Sequence, residues 1–239
     1  MPLNLATQLR EGTTKSHSMA ENVRFVKSFL GGVVDKKSYR KLVANLYFVY
    51  SNLEEHMLLH CNHPVIKPIY FLELNRKASL EQDLLYYYGS DWQNLIKPSE
   101  ATKNYIHRIN QISLNQTELL VAHAYTRYMG DLSGGQILKR IAENAMNLSD
   151  GEGVAFYNFL KIQDDNKFKK MYKNQLNELP LTQSQISNII SEANIAFTLN
   201  MKIFQELNSN LIKIMLQFFI NAINKFRINK NKLYYVLVI

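Results

Sequence analysis

The 239-residue chain has the length of one domain, or at most two, and its low glycine and proline content (9 and 5 residues) favours an all-helical fold. Its one cysteine, Cys61, excludes an internal disulfide framework and fits a reducing compartment. The formal net charge of +8 suggests an acidic partner or an anionic ligand, but the lysines and arginines are scattered without a basic run, which argues against nucleic-acid binding.

The N-terminal segment, residues 3–29, is the first predicted helix, and the Gly31–Gly32 pair ends it. Residues 1–9 lack the charged start and apolar core of a signal peptide. No apolar run reaches the ~20 residues that a transmembrane helix needs. The sequence therefore predicts neither an export signal nor a transmembrane segment.

Capping signals divide the rest of the chain into further helices. Asp35 is the predicted N-cap of a long helix that Pro64 closes, and Ser79 with Gln82 is a predicted capping box for a helix ending near Gly89. The later predicted helices are 99–112, 116–145, 164–176 and 182–207, with N-terminal signals at Ser99, Asn115 with Glu118, and Thr182 with Gln185. Together these signals predict about eight helices in one domain.

The tail, residues 208–239, differs from the rest of the chain. Lys213, Gln217, Asn221 and Lys225 form a narrow polar stripe on an otherwise apolar predicted helix. This pattern fits a helix docked onto the domain, and it also fits a helix that binds a membrane surface or a partner. We expect the tail to be separable from the domain.

The stretch GDLSGGQ, Gly130 to Gln136, interrupts a segment that otherwise has a helical pattern. Glycines inside a helix cost about 1 kcal/mol each relative to alanine, so a function should compensate for them. Gly130 and Gly134 lie on one face with Gly135 beside them, and the backbone there can touch a large, flat partner or kink. The side chains around this bare face are Tyr125, Thr126, Arg127 and Asp131.

The same stretch has two other interpretations. LSGGQ is also the signature of ABC-transporter ATPases, but that class requires a phosphate-binding loop with a Gly-Lys pair, and no such pair occurs in the chain. Close helix–helix packing through small residues is the second interpretation, and the string alone leaves it open.

Among the histidines, His17 is the strongest candidate metal ligand. Glu21 follows one helical turn later, and a carboxylate there can orient the imidazole so that Nε2 is free for a metal. A surface ion pair without a ligand is the alternative. A second group, His56, His60 and His63, has metal-like spacing, although an adventitious or empty site is favoured. His107 and His123 are isolated, and each is expected in the core or on the surface.

A histidine with a carboxylate, a bare helix face and basic residues together fit a flat, anionic, iron-bearing ligand such as haem. Five stretches then resemble the haem oxygenases, most closely the soluble enzymes of cyanobacteria and plastids. They are LREGTTKSHSMAENVRFV, LEQDLLYYYG, LLVAHAYTRYMGDLSGGQILKRIA, GEGVAFYNF and KFKKMYKNQLNEL. The resemblance covers residues 3–207 in the family's order and leaves the tail uncovered.

The resemblance implies one all-α domain, residues 1–207, that holds haem between a proximal and a distal helix. His17 would be the axial iron ligand with Glu21 as its partner, and Asp131 would organise the distal water network that supplies protons. The other catalytic positions would be Gly130, Gly134, Arg127, Tyr50, Tyr105 and Asn200. The haem-contacting positions would be Arg10, Lys15, Tyr125, Thr126, Gly135, Lys169, Lys173, Phe197 and Phe204.

One departure concerns the residues expected at the haem propionates. Lys173 stands where many members have arginine, and Arg10 stands where some relatives have lysine. Positive charge is kept at both positions, but Lys173 is a point charge that cannot bind a carboxylate bidentately.

The activity implied is O2-dependent opening of haem at the alpha-meso bridge, giving biliverdin, carbon monoxide and ferrous iron. Electrons would come from reduced ferredoxin, an acidic protein that suits the +8 charge, and a bilin reductase would act downstream in phycobilin synthesis. Because the resemblance begins at residue 3, leaving no room for a transit peptide, we expect a plastid-encoded protein or a cyanobacterial cytoplasmic one.

Two other functions use parts of the same pattern. A non-catalytic haem-binding or haem-delivery protein would need the same pocket. A fold relative acting on thiamin-like substrates would need a catalytic cysteine in the pocket, whereas Cys61 lies in the HCNHP turn.

Overall fold

Helices make up most of the structure, a computed structural model that describes residues 4–149 and 151–207. The α-helices are α1 (Leu5–Gly12), α2 (Thr14–Glu21), α3 (Arg24–Leu30), α4 (Lys36–Leu59), α5 (Lys77–Tyr88), α6 (Trp92–Leu95), α7 (Glu100–Asn115), α8 (Leu120–Ala124), α9 (Gly130–Met146), α10 (Asp165–Asn177) and α11 (Gln183–Glu206). Short 3-10 turns and one π-helical turn, Tyr125–Met129, connect them. No β-strand occurs in the two ranges, so the predicted all-α fold is confirmed.

Three short helices replace the single N-terminal helix predicted over residues 3–29. The hydroxyl of Thr13 donates to the Leu9 carbonyl (2.7 Å) where α1 ends, and the extended backbone of Val23 separates α2 from α3. A hydroxyl that bonds the preceding turn competes with regular helix geometry. Helix α1 buries Leu5 and Leu9, whereas α2 buries no residue, so α2 keeps a side free for other contacts.

Three of the predicted caps are confirmed. The Asp35 carboxylate accepts the Ser38 N–H (3.1 Å) at the start of α4, and the Ser99 hydroxyl accepts the Thr102 N–H at the start of α7. The capping box of Thr182 with Gln185 is complete at the start of α11. These caps need only residues within one helical turn, which is why sequence spacing finds them.

Two predicted caps are wrong. Helix α5 begins at Lys77, so Ser79 lies inside it and its hydroxyl donates to the Arg76 carbonyl (2.9 Å). Asn115 is the last residue of α7, and its amide donates to the Gln111 carbonyl (2.9 Å). In both cases the short polar side chain bonds backward to a carbonyl, although its type also suits an N-cap.

Helix α4 lies at the centre of the fold. It packs against α5 and α7, while α11 packs against α1, α2, α7 and α8. The largest fully buried side chains include four tyrosines, Tyr39, Tyr50, Tyr105 and Tyr172. A buried tyrosine usually finds a partner for its hydroxyl, so a core of this kind carries polar links between helices.

None of the helices in the two described ranges is both long and apolar enough to cross a membrane. The tail predicted from residue 208 onward lies outside the described residues. The division of the chain at residue 207 therefore stays a prediction.

Candidate active site

A cleft of about 460 Å³ separates α1 and α2 from the π-helical turn and the start of α9. Helices α10 and α11 each add one lining residue. The lining residues are Ala6, Thr7, Arg10, Thr13, Thr14, His17, Tyr125, Thr126, Met129, Gly130, Ser133, Lys173 and Phe197. Seven of them were predicted as site residues from sequence, and they come from six separate helical elements.

His17 enters the cleft from the exposed helix α2. Its Nδ1 lies 3.6 Å from Glu21 Oε1, a contact slightly longer than a hydrogen bond. The ring of Phe197 on α11 meets the imidazole edge-on, with 5.8 Å between ring centroids. The carboxylate on Nδ1 and the phenyl ring on one side orient the imidazole, and Nε2 is left for a ligand in the cleft.

Gly130 and Ser133 of α9 belong to the opposite wall, and Gly134 lies one turn after Gly130 on the same helix face. A Cβ atom built at Gly130 or at Gly134 would meet no other atom within 4 Å, so both glycines border open space. Gly135 differs, because its Cβ would lie 3.5 Å from Tyr157 Cδ1. The structure therefore packs Gly135 against the 3-10 turn Ala155–Tyr157, and its predicted haem contact stays a prediction. Helix packing, the alternative interpretation of the stretch, applies to this one glycine.

The helix predicted over 116–145 is not continuous. A 3-10 turn and α8 precede the π-helical turn, in which four consecutive side chains, Thr126 to Met129, are buried. A π-helical turn inserts an extra residue into the helical register and is frequent at functional sites. Here it directs Arg127 into the protein interior while its neighbour Thr126 lines the cleft. The Thr126 hydroxyl is buried and has no hydrogen-bond partner within residues 4–149 and 151–207.

Arg127 is the centre of a buried polar cluster behind the cleft. Its Nε donates to the Tyr50 hydroxyl (2.9 Å) and its Nη1 donates to Asn200 Oδ1 (2.7 Å). The Tyr50 hydroxyl in turn donates to Asp131 Oδ2, and Arg127 Nη2 lies 3.8 Å from Asp131 Oδ1. These four residues, all predicted as site residues, thus form one network that links α4, the π-helical turn, α9 and α11.

The surroundings of this cluster shift the pKa of both charged groups. Burial raises the pKa of Asp131, and the nearby Arg127 guanidinium with the Tyr50 hydrogen bond opposes that rise. Burial alone would lower the pKa of Arg127, but Tyr50 and Asp131 raise it above its ordinary value. Arg127 therefore stays charged, whereas Asp131 is the member of the cluster that is closer to exchanging a proton at neutral pH.

Four further residues continue the cluster toward the surface, beginning with Tyr105, which is hydrogen-bonded to Asn200. Tyr105 Oη lies 3.3 Å from His123 Nδ1, and His123 Nε2 lies 3.0 Å from Glu192 Oε1. Arg108 Nε donates to Glu192 Oε1 (2.9 Å). Burial would raise the pKa of Glu192, but His123 and Arg108 lower it to about 2. Sequence reasoning missed this role of His123, although its position four residues before Arg127 places both on one helix face.

The basic residues divide between the cleft and its surroundings. Arg10 and Lys173 line the cleft, while Lys169 lines a neighbouring polar depression that also contains Lys173. Lys15 is exposed on α2 and is not among the cleft-lining residues. The structure thus brings two of the four predicted cations to the cleft.

Phe204 lies elsewhere than predicted. It stacks on Phe25, with 6.2 Å between ring centroids, and lines a separate groove with Val23 and Leu207. That groove shares no lining residue with the cleft, and Phe204 lies about two turns after Phe197 on the same face of α11.

The second histidine group is engaged in helix packing. His56 Nε2 pairs with Asn110 Oδ1 (2.7 Å) and His60 Nε2 pairs with Ser113 Oγ (2.8 Å) across the α4–α7 contact. No group of three His, Cys, Asp or Glu side chains in the described part of the chain could hold a metal ion.

Comparisons with known proteins point in one direction. The family model described as "Heme oxygenase" matches residues 3–206. The chain is 64% identical over 226 residues to the heme oxygenase of Porphyra purpurea, covering 95% of this chain and 96% of that protein. It is 61% identical over 213 residues to heme oxygenase 1 of Synechocystis, covering 89% and 88%.

Solved structures agree with this likeness. The crystal structure of heme oxygenase-1 from Synechocystis in complex with heme has a TM-score of 0.87 and 58% identity, covering 92% of this chain and all of that one. A structure from Chlamydomonas reinhardtii, solved without heme, has a TM-score of 0.77 and 26% identity, covering 86% of this chain and 98% of that one.

Proposed function

The chain belongs to the haem oxygenase family and is an enzyme of that kind, and we propose that it opens its substrate haem at the alpha-meso bridge. The products would be biliverdin, carbon monoxide and ferrous iron. The observation that carries the proposal is the cleft itself, which has His17 on one wall and the open glycine face, next to the Asp131 cluster, on the other.

The cleft fits haem in shape and chemistry. Gly130 and Gly134 leave space that a side chain would fill, which suits a flat macrocycle close to the helix backbone. Arg10 and Lys173 place positive charge at the cleft, where the two propionates would bind. Thr126 adds a buried hydroxyl that has no partner in the described part of the chain, which suits a bond to a polar group of the ligand or to water.

Bound haem supplies both the iron that activates O2 and the porphyrin that is cleaved. His17 would hold the iron through Nε2, and Glu21 would keep the ring orientation by contact with Nδ1. A neutral histidine donates less electron density than a thiolate, so it does not favour cleavage of the O–O bond. The oxidising power of the uncleaved O–O bond would then be available to oxidise the macrocycle itself.

Asp131 would control protons on the opposite side. Its side chain is 13% exposed and directly follows Gly130, which lines the cleft, so a water molecule could accept or donate a proton there. Tyr50 and Arg127 hold the carboxylate in place, Asn200 accepts from Arg127, and Tyr105 is hydrogen-bonded to Asn200. Gly130, directly before Asp131, has no side chain that would block the approach of the helix to the ligand.

Partners and location follow from chemistry and from the relatives. O2 is the co-substrate, and the +8 charge suits reduced ferredoxin, an acidic protein, as electron donor. Relatives from red algae such as Porphyra purpurea and from cyanobacteria support a plastid or a cyanobacterial cytoplasmic location, with a bilin reductase acting on the product in phycobilin synthesis.

Turnover of haemin tests the proposal and its main alternative. The purified chain is mixed with one equivalent of haemin, and ascorbate or reduced ferredoxin is added in air. We expect the Soret band to disappear, a bilin band to appear in the red, and alpha biliverdin to elute as the main isomer. A stable reduced-haem spectrum under the same conditions would instead identify a haem-binding or haem-delivery protein.

A further inference from the structure

The segment 154–159 touches both supports of Asp131. The ring of Phe156 packs edge-on against Tyr50, with 5.5 Å between centroids, and Tyr50 is the hydrogen-bond donor to Asp131. Tyr157 packs against Gly135, and its carbonyl accepts the Gln136 amide (2.9 Å). Gly135 and Gln136 lie about one turn after Asp131 on α9, so the segment contacts the helix that carries the carboxylate as well as the tyrosine that binds it.

Two buried charged residues of α5 and its N-cap hold this segment. Asp83, fully buried, accepts the Ala155 N–H with Oδ1 (2.7 Å) and the Phe156 N–H with Oδ2 (2.8 Å). Arg76, 4% exposed, donates through Nη1 to the Asn158 carbonyl (2.7 Å) and to the Phe156 carbonyl (3.3 Å). The Asp83 carboxylate therefore holds N–H groups of the segment, and the Arg76 guanidinium holds its carbonyl groups.

The remaining contacts of Arg76 fix the guanidinium itself. Its Nε donates to the Leu74 carbonyl (3.0 Å), its Nη2 donates to the Glu73 carbonyl (3.2 Å), and its Cζ lies 3.7 Å above the Phe159 ring centroid. Glu54 on α4 accepts the backbone N–H groups of Arg76 and Lys77. Glu54 follows Tyr50 by one turn of α4, so the contacts return to the tyrosine that binds Asp131.

Neither charge has an ion-pair partner among the described residues, since both bond to backbone groups. Burying charges costs free energy even when they are hydrogen-bonded, and a well-packed apolar pair would stabilise the fold at a lower cost. The two charged groups instead define the position of the segment. A carboxylate that accepts two N–H groups and a guanidinium that donates to several carbonyls each fit only one arrangement of the backbone. Burial also raises the pKa of Asp83 to about 6, which agrees with a carboxylate kept for its geometry.

We propose that Asp83 and Arg76 are positioning residues that set the location of Asp131 over the cleft by fixing the segment 154–159 between Tyr50 and α9. Neither residue lines the cleft. Their effect on the reaction would be on which bridge of the macrocycle is opened, because a shift of α9 moves Asp131 and Gly130 relative to the ligand. The expected change in the bridge that is opened rests on the proposed haem cleavage. The structural support of α9 by Asp83 and Arg76 does not depend on it.

The test uses Asp83→Asn and Arg76→Lys in the full chain. Asparagine replaces one acceptor oxygen with an amide that faces a backbone N–H, and lysine cannot donate to four carbonyls in a fork. Ile112→Ala, a core truncation on α7, serves as a control that lowers the melting temperature without touching the segment. Phe156→Leu keeps both charged contacts but removes the ring on Tyr50, and it replaces either variant that does not fold.

Two readouts are compared, and the first needs no haem. Hydrogen exchange of the free protein should rise about tenfold or more at the amides of 130–136 as well as at 154–159 in the variants, but not in Ile112→Ala. In haemin turnover, the share of biliverdin isomers other than alpha should increase several-fold in the variants and stay unchanged in the control.

The outcomes separate the two proposals. Faster exchange confined to 154–159, or a wild-type isomer ratio in both variants, would show that the segment does not position Asp131. If wild-type protein forms no biliverdin, the proposed function fails, while the exchange measurement still decides whether Asp83 and Arg76 support α9.

Discussion

The Tyr50 hydroxyl donates a hydrogen bond to the Asp131 carboxylate and so joins the central helix α4 to α9, 81 residues later in the chain. Tyr50 is fully buried, and its hydroxyl also accepts from Arg127 Nε. One phenol therefore holds both an anion and a cation of the cluster. The carboxylate that we assign to proton control is thus held by a residue that does not line the cleft.

Tyr50→Phe tests this link. We expect haem binding to persist and the rate of biliverdin formation to fall, because Asp131 loses its donor and the Tyr50 hydrogen bond no longer opposes the raised pKa of Asp131. The pH dependence of the rate should move toward higher pH. Tyr172→Phe is the matched control, since the Tyr172 hydroxyl is buried and no other residue that the structure describes pairs with it. Equal rates and pH profiles in both variants would contradict the assigned role of Tyr50.

Asp131→Ala tests the proton role directly. We expect haem to bind with little change, because His17, Arg10 and Lys173 are intact, and the biliverdin yield to fall by roughly 10²-fold or more, as for loss of a general acid–base group. The measurements are haem titration and single-turnover spectra. Glu143→Ala removes a carboxylate three turns later on α9 and should leave both unchanged. A normal bilin yield from Asp131→Ala would be incompatible with the proposal.

The glycines of α9 give a matched pair of substitutions. Gly134→Ala should stabilise the free protein by up to about 1 kcal/mol, because alanine is the better helix former and its Cβ meets open space. The same methyl group should weaken haem binding, since the ligand needs that space. Gly135→Ala places its methyl group on Tyr157 instead and should leave haem affinity unchanged. Thermal unfolding and haem titration of the two variants check this; equal haem affinities would mean that Gly134 does not face the ligand.

The buried carboxyl group of Glu54 should make the stability of the folded protein depend on pH. Burial raises the pKa of Glu54 to about 7, although the N–H groups of Arg76 and Lys77 oppose the shift. Between pH 4.5 and 7 the folded chain therefore holds a proton that the unfolded chain has released. The free energy of unfolding should fall as pH rises through that window, by on the order of 3 kcal/mol from this residue.

Glu54→Gln isolates this contribution. The glutamine oxygen can still accept both backbone N–H groups, but the side chain no longer titrates. Denaturant unfolding of both proteins at several pH values should show a shallower decline for Glu54→Gln up to pH 7 and parallel curves above it. Curves that stay parallel throughout the range would show that Glu54 ionises in the folded protein near its ordinary pKa.

The sequence by itself determined whatever depends on neighbours within about one helical turn. The caps at Asp35, Ser99 and Thr182, the open faces of Gly130 and Gly134, and the contact of His17 with Glu21 all belong to this group, because their geometry is set by helix periodicity.

Tertiary structure decided the features whose partners are distant in the chain. Helix α5 is capped by Glu54, 22 residues before Arg76, so no local pattern could replace the wrong prediction at Ser79. Arg127 bonds residues 77 and 73 positions away, through a π-helical turn that the glycine pattern did not predict. Spacing can place a side chain on a face, but only packing selects which buried group it meets and therefore how Asp131 is held.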